Sequence, residues 1–152
     1  MKTKRMIALS AALCAALTIP MTANANPAMI EAENIRTLDM MLMATSLRCR
    51  KGADDFRAEY AAFSRFNRLH LTHANTTMRR SLNARYGVRA AERELDRRSV
   101  KMANRFGNGH PWMSCRELKV AAGDLARAHS KASLATAAHK LLNPPQIAYD
   151  IP

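Results

Sequence analysis

The chain has 152 residues and a formal net charge of +12, with 24 lysines and arginines against 12 aspartates and glutamates. Its five glycines form no G-x-G-x-x-G motif and no phosphate-binding loop, which excludes the common nucleotide-binding folds. No nucleophile stands beside a base and no carboxylate pair typical of a hydrolase is visible, so we expect neither catalytic residues nor a cofactor.

The first 25 residues are organised as a cleavable signal peptide. Three positive charges within residues 1–5 precede an uncharged apolar run from Met6 to Leu17. Ala23-Asn24-Ala25 supplies the small side chains that signal peptidase requires, which predicts cleavage before Asn26. The apolar run is shorter than the roughly 20 residues of a membrane span. We therefore expect a periplasmic or secreted protein with no transmembrane segment in the processed chain.

Arginine dominates the charge that remains after cleavage. Residues 1–25 hold three of the 24 cations and none of the acids, so the processed chain carries a formal net charge of +9. Sixteen of its 21 cations are arginine, whose planar guanidinium pairs in a bidentate manner with carboxylate or phosphate. The candidate partners are anionic envelope components or acidic proteins, without a specific nucleic acid, and the sequence singles out none of them. We interpret the charge in the first place as an ordinary solvated surface, because net charge does not specify a target.

Two cysteines remain in the processed chain, because cleavage removes Cys14. Cys49 and Cys115 then lie in a compartment that oxidises thiols, and we expect a disulfide between them. Closing a loop of this length stabilises a fold by about 4 kcal/mol in the chain-entropy estimate. Against a typical net stability of roughly 5 to 15 kcal/mol, this is a large contribution for a small domain.

Apolar residues recur at helical spacing along the processed chain, and no strand pattern of useful length appears. A first helix is expected from Asn26-Pro27, a capping residue followed by proline, to near Gly52. Met40 to Met43 widen its apolar face, and we interpret these methionines as core in preference to a binding surface. The predicted inner face consists of Ile35, Leu38, Leu42, Thr45 and Cys49.

A second, long helix is predicted from Asp54 to Tyr86. We expect it to bend or weaken at Asn75 to Thr77, because such residues lose side-chain freedom or compete for backbone hydrogen bonds in a helix. Gly87 ends it, and the clearest periodicity in the chain predicts a third helix from Val88 to Phe106.

A fourth helix is predicted to begin at a capping box, in which Ser114 and Glu117 each satisfy a backbone N–H. It continues to Leu142, with a break expected near Ser130 to Ser133, and Asn143-Pro144-Pro145 stops it. Short connections between helices favour antiparallel neighbours, which places both cysteines at the same end of the domain.

The expected fold is therefore all-α, a small bundle of about four helices with one disulfide, preceded by a signal peptide. Its parts are the signal peptide (1–25), the helical domain (26–142) and an extended C-terminal tail (143–152). Neither an internal repeat nor a linker between two domains is visible.

His70 and His73 are spaced three apart on the second predicted helix, which can place two imidazoles on one face for a metal ion. The sequence places no third ligand beside them, since His110, His129 and His139 lie far along the chain. We therefore treat this pair as a weak candidate for a metal site. Metal binding would require one of the distant histidines to fold back onto the pair as a third ligand.

The segment from Gly107 to Cys115 is the candidate binding loop. It contains His110 before a proline and Trp112, the single tryptophan of the chain, and such loops often carry function. In the alternative interpretation, Trp112 closes the end of the bundle and shields the disulfide.

Several strings resemble a group of small, uncharacterised, exported helical proteins of alphaproteobacterial type. They are Met41-Leu42-Met43, Leu47-Arg48-Cys49-Arg50, Gly109-His110-Pro111-Trp112-Met113-Ser114-Cys115 and Glu117-Leu118-Lys119. The resemblance covers most of the processed chain and implies an exported two-cysteine helical domain. Some members carry an automatic label as S-adenosylhomocysteine hydrolases, an activity that this sequence does not support because it is too short and lacks the dinucleotide-binding fingerprint.

Together these patterns favour a basic exported protein of unknown function that has no enzymatic activity and either acts by interaction or associates with the envelope. The alternative is a small-molecule or metal-binding periplasmic module that uses the Gly107 to Cys115 loop.

Overall fold

The computed structural model describes residues 26–144, and within this range the chain forms six α-helices and no strand. The helices are α1 (Pro27–Arg48), α2 (Arg57–Phe66), α3 (Arg68–Tyr86), α4 (Val88–Phe106), α5 (Cys115–Arg127) and α6 (Lys131–Leu142). The all-α prediction is confirmed. The expected number of four helices is wrong, because the second and fourth predicted helices each divide in two. The predicted signal peptide and residues 145–152 of the predicted tail lie outside the described residues.

Asn67 divides the second predicted helix into α2 and α3. Its side chain is fully buried, and its Nδ2 donates to the carbonyl oxygens of Phe63, at 3.0 Å, and Leu125, at 3.1 Å. The backbone of Asn67 departs from the helical conformation, with φ −96° and ψ 7°, because its side chain competes for a carbonyl that belongs to the helix. The break thus coincides with a hydrogen bond to α5.

The predicted weak point at Asn75 to Thr77 is wrong, since α3 passes through these residues without interruption. The Thr76 hydroxyl donates to the Thr72 carbonyl oxygen one turn earlier, at 3.0 Å, and remains on the exposed face. Ala74 and Met78 are buried on the opposite face. Their packing outweighs the low helix propensity of the polar residues between them.

The fourth predicted helix divides at Ala128 to Ser130, beside the expected break. Ser130 begins α6 as its cap, with its hydroxyl accepting a hydrogen bond from the Ser133 backbone N–H at 3.1 Å. The capping box predicted at the start of α5 is present. The Ser114 backbone N–H donates to Glu117 Oε2 at 2.8 Å, and the Glu117 N–H donates to Ser114 Oγ at 3.3 Å.

α1 lies at the centre of the domain and contacts each of the five other helices. The predicted inner face of this helix is buried, as is Met41, while Met40 and Met43 are half-buried. However, burial is not confined to one face, and a helix buried all round occupies a core. A simple up-and-down bundle is therefore replaced by a central helix with five helices around it. The buried residues of α1 are Ala32, Ile35, Thr37, Leu38, Asp39, Met41, Leu42, Thr45 and Ser46.

The disulfide between Cys49 and Cys115 joins the end of α1 to the start of α5, with the two Cα atoms 5.8 Å apart. This pairing confirms the predicted disulfide. From the bridge, α5 leads back to Asn67 beside the middle of α1, so the two helices run antiparallel. α6 starts at the opposite end of the domain, where Lys131 Nζ lies 2.9 Å from Glu31 Oε1 near the start of α1.

α3 and α4 form an antiparallel hairpin whose corner is a single residue, Gly87. Its φ is +74°, a conformation that residues with a Cβ rarely adopt. Arg79 of α3 and Glu92 of α4 pair across the hairpin at 2.7 Å. α3 runs antiparallel to α1, and α4 therefore runs parallel to it.

The first prediction concerns the disulfide. Because the bridge closes a loop with a sequence separation of 66 residues, we expect the double variant Cys49→Ser, Cys115→Ser to lose about 4 kcal/mol of unfolding free energy. Urea denaturation followed by circular dichroism measures this loss, and reduction of the wild-type protein should reproduce it. Equal midpoints for the oxidised and reduced proteins would contradict the prediction.

The second prediction concerns the break between α2 and α3. Replacing Asn67 by Ala leaves the Leu125 carbonyl oxygen without its donor in the core, and we expect a loss of about 1–3 kcal/mol of unfolding free energy. The matched control is Asn104→Ala, at an exposed position of α4, with an expected change within about 0.5 kcal/mol. Two variants of equal stability in urea denaturation would show that the Asn67 hydrogen bonds contribute nothing.

Candidate functional site

The candidate loop from Gly107 to Cys115 is organised around His110. Its Nε2 lies 2.9 Å from the Leu141 carbonyl oxygen, and its Nδ1 lies 3.4 and 3.2 Å from the backbone nitrogens of Trp112 and Met113. A carbonyl only accepts and a backbone N–H only donates, so the neutral tautomer with its proton on Nε2 satisfies all three contacts. Both ring nitrogens are thus used inside the protein: Nε2 attaches the loop to the end of α6, and Nδ1 holds the loop backbone.

Aromatic rings enclose the imidazole of His110. The ring of Phe106 stacks on it at 5.9 Å between centroids, and Trp112 meets it edge-on at 4.6 Å. Burial lowers the pKa of His110, and the nearby Arg105 lowers it further. Trp112 is half-buried and lines an open groove with Met113, so it does not fully close the end of the domain.

The third prediction follows from this lowered pKa. The neutral ring contributes stability that is fully present above the unfolded-state pKa of about 6.5 and is lost as pH falls through the lower folded-state pKa. We expect His110→Gln to be less stable than wild type at pH 7.5 and to lose less stability than wild type between pH 7 and 5. Urea denaturation across this range measures the difference.

The control for this prediction is His139→Gln, in the last turn of α6, which should retain the wild-type pH dependence. Parallel stability curves for the wild type and His110→Gln would contradict the assignment of a neutral, half-buried His110.

His70 and His73 line one small cleft of about 50 Å³ between α1, α3 and α6. Glu31 and Lys131 line it as well, but Glu31 Oε1 is paired with the Lys131 ammonium at 2.9 Å. The nearest acid is therefore neutralised by a cation. Across residues 26–144, no group of three or more His, Cys, Asp or Glu side chains is arranged to hold a metal ion.

Asp39 is a buried carboxylate that the sequence reasoning missed. Its Oδ2 accepts a hydrogen bond from Arg36 at 2.7 Å, and its Oδ1 accepts one from the Tyr60 hydroxyl at 3.3 Å. Burial raises the pKa of Asp39 despite Arg36, and burial together with the Asp39 charge raises the pKa of Tyr60 to about 12. The position of this acidic residue between the apolar residues Leu38 and Met40 could have indicated from the sequence that it is buried. One of its oxygens thus bonds within α1, and the other connects α1 with α2.

The strongest charge feature of the chain is the hairpin formed by α3 and α4. Residues 68–106 contain ten lysines and arginines and three acids, a formal net charge of +7. Residues 26–67 and 107–152 together contain eleven cations and nine acids, a net charge of only +2. The sequence reasoning missed this concentration because it counted charge over the whole chain instead of over each predicted helix.

The cations of the hairpin form a continuous exposed row on α4. Arg89, Arg93, Arg97 and Lys101 follow each other at intervals of four residues, and all are exposed, so they lie close together along one side of the helix. Arg97 forms an ion pair with Glu94. Within the described residues, no carboxylate lies within ion-pair distance of Arg89, Arg93 or Lys101.

On α3, the cations surround the corner of the hairpin. Arg85 lies over the ring of Tyr86, with its guanidinium carbon 5.3 Å from the ring centroid. Arg80 and Arg85 are exposed, and no carboxylate of the described residues pairs with either. Guanidinium groups without internal partners are available for bidentate contacts with phosphate or carboxylate groups.

Comparison of the chain with protein-family models, curated proteins and solved structures finds no match. The resemblance to exported two-cysteine helical proteins stays a prediction. Among the described residues, no helix has both the length and the apolar character that crossing a membrane requires.

Proposed function

We propose that this chain is an exported, non-enzymatic protein that binds anionic components of the cell envelope through the α3–α4 hairpin. The observation that carries the proposal is the concentration of +7 of the formal charge in residues 68–106. The signal-peptide pattern of residues 1–25 supports export to the periplasm or the outside. A disulfide between Cys49 and Cys115 is compatible with that oxidising compartment.

The identity of the cations supports phosphate or carboxylate groups as the bound chemistry. Nine of the ten cations in the hairpin are arginine, and a guanidinium matches the oxygens of these anions with two parallel N–H donors. Arg85, Arg89 and Arg93 flank the corner and have no carboxylate partner among the described residues. An anion that contacts several of them neutralises charge that the fold leaves uncompensated.

The alternative ligand-binding role of the Gly107 to Cys115 loop receives less support. The ring nitrogens of His110 contact Leu141, Trp112 and Met113, so a ligand would have to displace internal hydrogen bonds. The hairpin requires no such rearrangement before it binds an anion.

The fourth prediction tests the hairpin by charge removal. In the variant Arg85→Gln, Arg89→Gln, Arg93→Gln, we expect binding to envelope fractions at low salt to weaken about a hundredfold, since each of the three cations contributes roughly 1 kcal/mol near an anionic surface. Sedimentation of the exported protein with envelope fractions across a salt series measures this. Wild-type binding should itself weaken as salt screens the charges.

The matched control removes three charges elsewhere, through Arg48→Gln, Lys51→Gln and Lys140→Gln. These residues are exposed, lie outside the hairpin and have no carboxylate partner in the described part of the chain. We expect this variant to keep most of the wild-type binding. Equal losses in both variants would show that only total charge matters, and a wild type that stays in the supernatant at low salt would refute envelope binding altogether.

A further inference from the structure

Two apolar side chains are exposed at the corner of the basic hairpin. Tyr86, the last residue of α3, is 44% exposed, and Val88, the first residue of α4, is 67% exposed. Only Gly87 separates them, and this corner has no other residue. The apex of a strongly cationic hairpin is therefore an aromatic ring beside an aliphatic side chain.

The corner projects beyond the start of the central helix. Arg98 of α4 pairs with Glu33 of α1 at 2.8 Å, which sets the two parallel helices in register. From this pair, α4 extends ten residues back to Val88, whereas α1 extends six residues back to Pro27. At about 1.5 Å per residue, the corner lies roughly 6 Å, about one helical turn, beyond the first residue of α1.

The order of side chains along the hairpin matches the layers of a membrane surface. Val88 and Tyr86 flank Gly87 at the apex, and the Tyr86 side chain also lines an open groove with Arg93 and Arg97. Arg85 and Arg89 come next along the hairpin, and Arg93 lies five residues from Val88, at about 7.5 Å along the helix. Each headgroup layer of a bilayer is about 5–7 Å thick and lies above the hydrocarbon. An apex that reaches the acyl boundary therefore places these arginines at the level of the lipid phosphates.

We propose that the corner Tyr86-Gly87-Val88 inserts into the headgroup region of anionic phospholipid membranes, with Arg85, Arg89 and Arg93 binding the phosphates. This inference rests on the proposed function, binding of anionic envelope components by the hairpin, and it identifies phospholipids as the component bound. Tyrosine is favoured at membrane interfaces, where its ring contacts apolar chains and its hydroxyl contacts water. Combined apolar and electrostatic attachment is how peripheral proteins achieve stable anchoring.

The apolar apex favours a lipid surface over a soluble polyanion. A nucleic acid or polysaccharide would contact the arginines, but it offers no hydrocarbon to cover the Val88 side chain. We therefore assign the anion to phospholipid headgroups, and soluble polyanions are a separate outcome of the test.

The fifth prediction uses a tryptophan placed at the corner. In a Trp112→Phe background, Val88→Trp is compared with Val120→Trp, which replaces an exposed valine of α5 away from the hairpin. The exported proteins are mixed with vesicles of phosphatidylcholine alone or with phosphatidylglycerol added. We expect the emission of the Val88→Trp variant to shift to shorter wavelength, and to be quenched by brominated acyl chains, only on the anionic vesicles. The Val120→Trp variant should show neither effect.

A second measurement does not depend on the Trp112 substitution. The double variant Tyr86→Ser, Val88→Ser keeps every arginine and Trp112, and we expect its partitioning onto anionic vesicles to fall about tenfold because the apolar contacts are lost. Circular dichroism verifies that the helices remain formed. If this double variant partitions onto anionic vesicles as the wild type does, and the emission of the Val88→Trp variant does not shift, the proposed membrane insertion is refuted.

The outcomes separate this inference from the proposed function. If Arg85→Gln, Arg89→Gln, Arg93→Gln abolishes vesicle binding while the serine double variant binds normally, the hairpin binds anions without insertion, and only the inference fails. If neither variant changes binding to envelope fractions, both fail. If the wild type binds soluble polyphosphate but not anionic vesicles, the assignment of phospholipid headgroups as the bound anion is refuted.

Discussion

The central position of α1, which contacts all five other helices, is the constraint on which the rest of the structure depends. A helix of 22 residues is about 33 Å long, and it can be enclosed only by elements that approach from several directions. The long second and fourth predicted helices divide for this reason. The breaks at Asn67 and before Ser130 allow α2, α3, α5 and α6 to follow separate courses around α1. The five helices around α1 thus cover it more completely than three straight helices would.

Polar side chains in this core determine how the outer helices are placed. The hydroxyls of Thr37, Thr45 and Ser46 donate to carbonyl oxygens of α1 itself, at 2.6 to 2.8 Å, so they impose nothing on the neighbouring helices. Asp39 and Asn67 instead bond to other helices, Asp39 to Tyr60 and Asn67 to Leu125. Because an unsatisfied buried polar group is costly, these two residues specify where α2 and α5 lie.

Features with a local cause could be predicted from the sequence. The start of α1 at Asn26-Pro27, the capping box of α5 and the bounds of α4 each follow from neighbouring residues. The break at Asn67 could not be predicted, because its second acceptor, the Leu125 carbonyl, lies 58 residues away. The central position of α1 was also hidden, since a clear apolar face does not reveal that its remaining faces are covered. For the candidate site, the charge of the hairpin was readable, but the internal bonds of His110 required the fold.

Arg85, Arg89 and Arg93 are not needed for the packing of the hairpin, and this strengthens the case for a binding role. α4 packs through Ala91, Leu95, Met102 and Phe106, which are buried on one side of the helix, while Arg89 and Arg93 are exposed on another. A concentration of like charge opposes the compact state through repulsion, and the ion pairs with Glu33, Glu92 and Glu94 offset only part of it. The disulfide stabilises the other end of α1. The repulsion in this hairpin is destabilising, and these exposed side chains form no ion pairs within the described residues that offset it. This is the charge distribution expected when the counter-ions of the arginines belong to a binding partner.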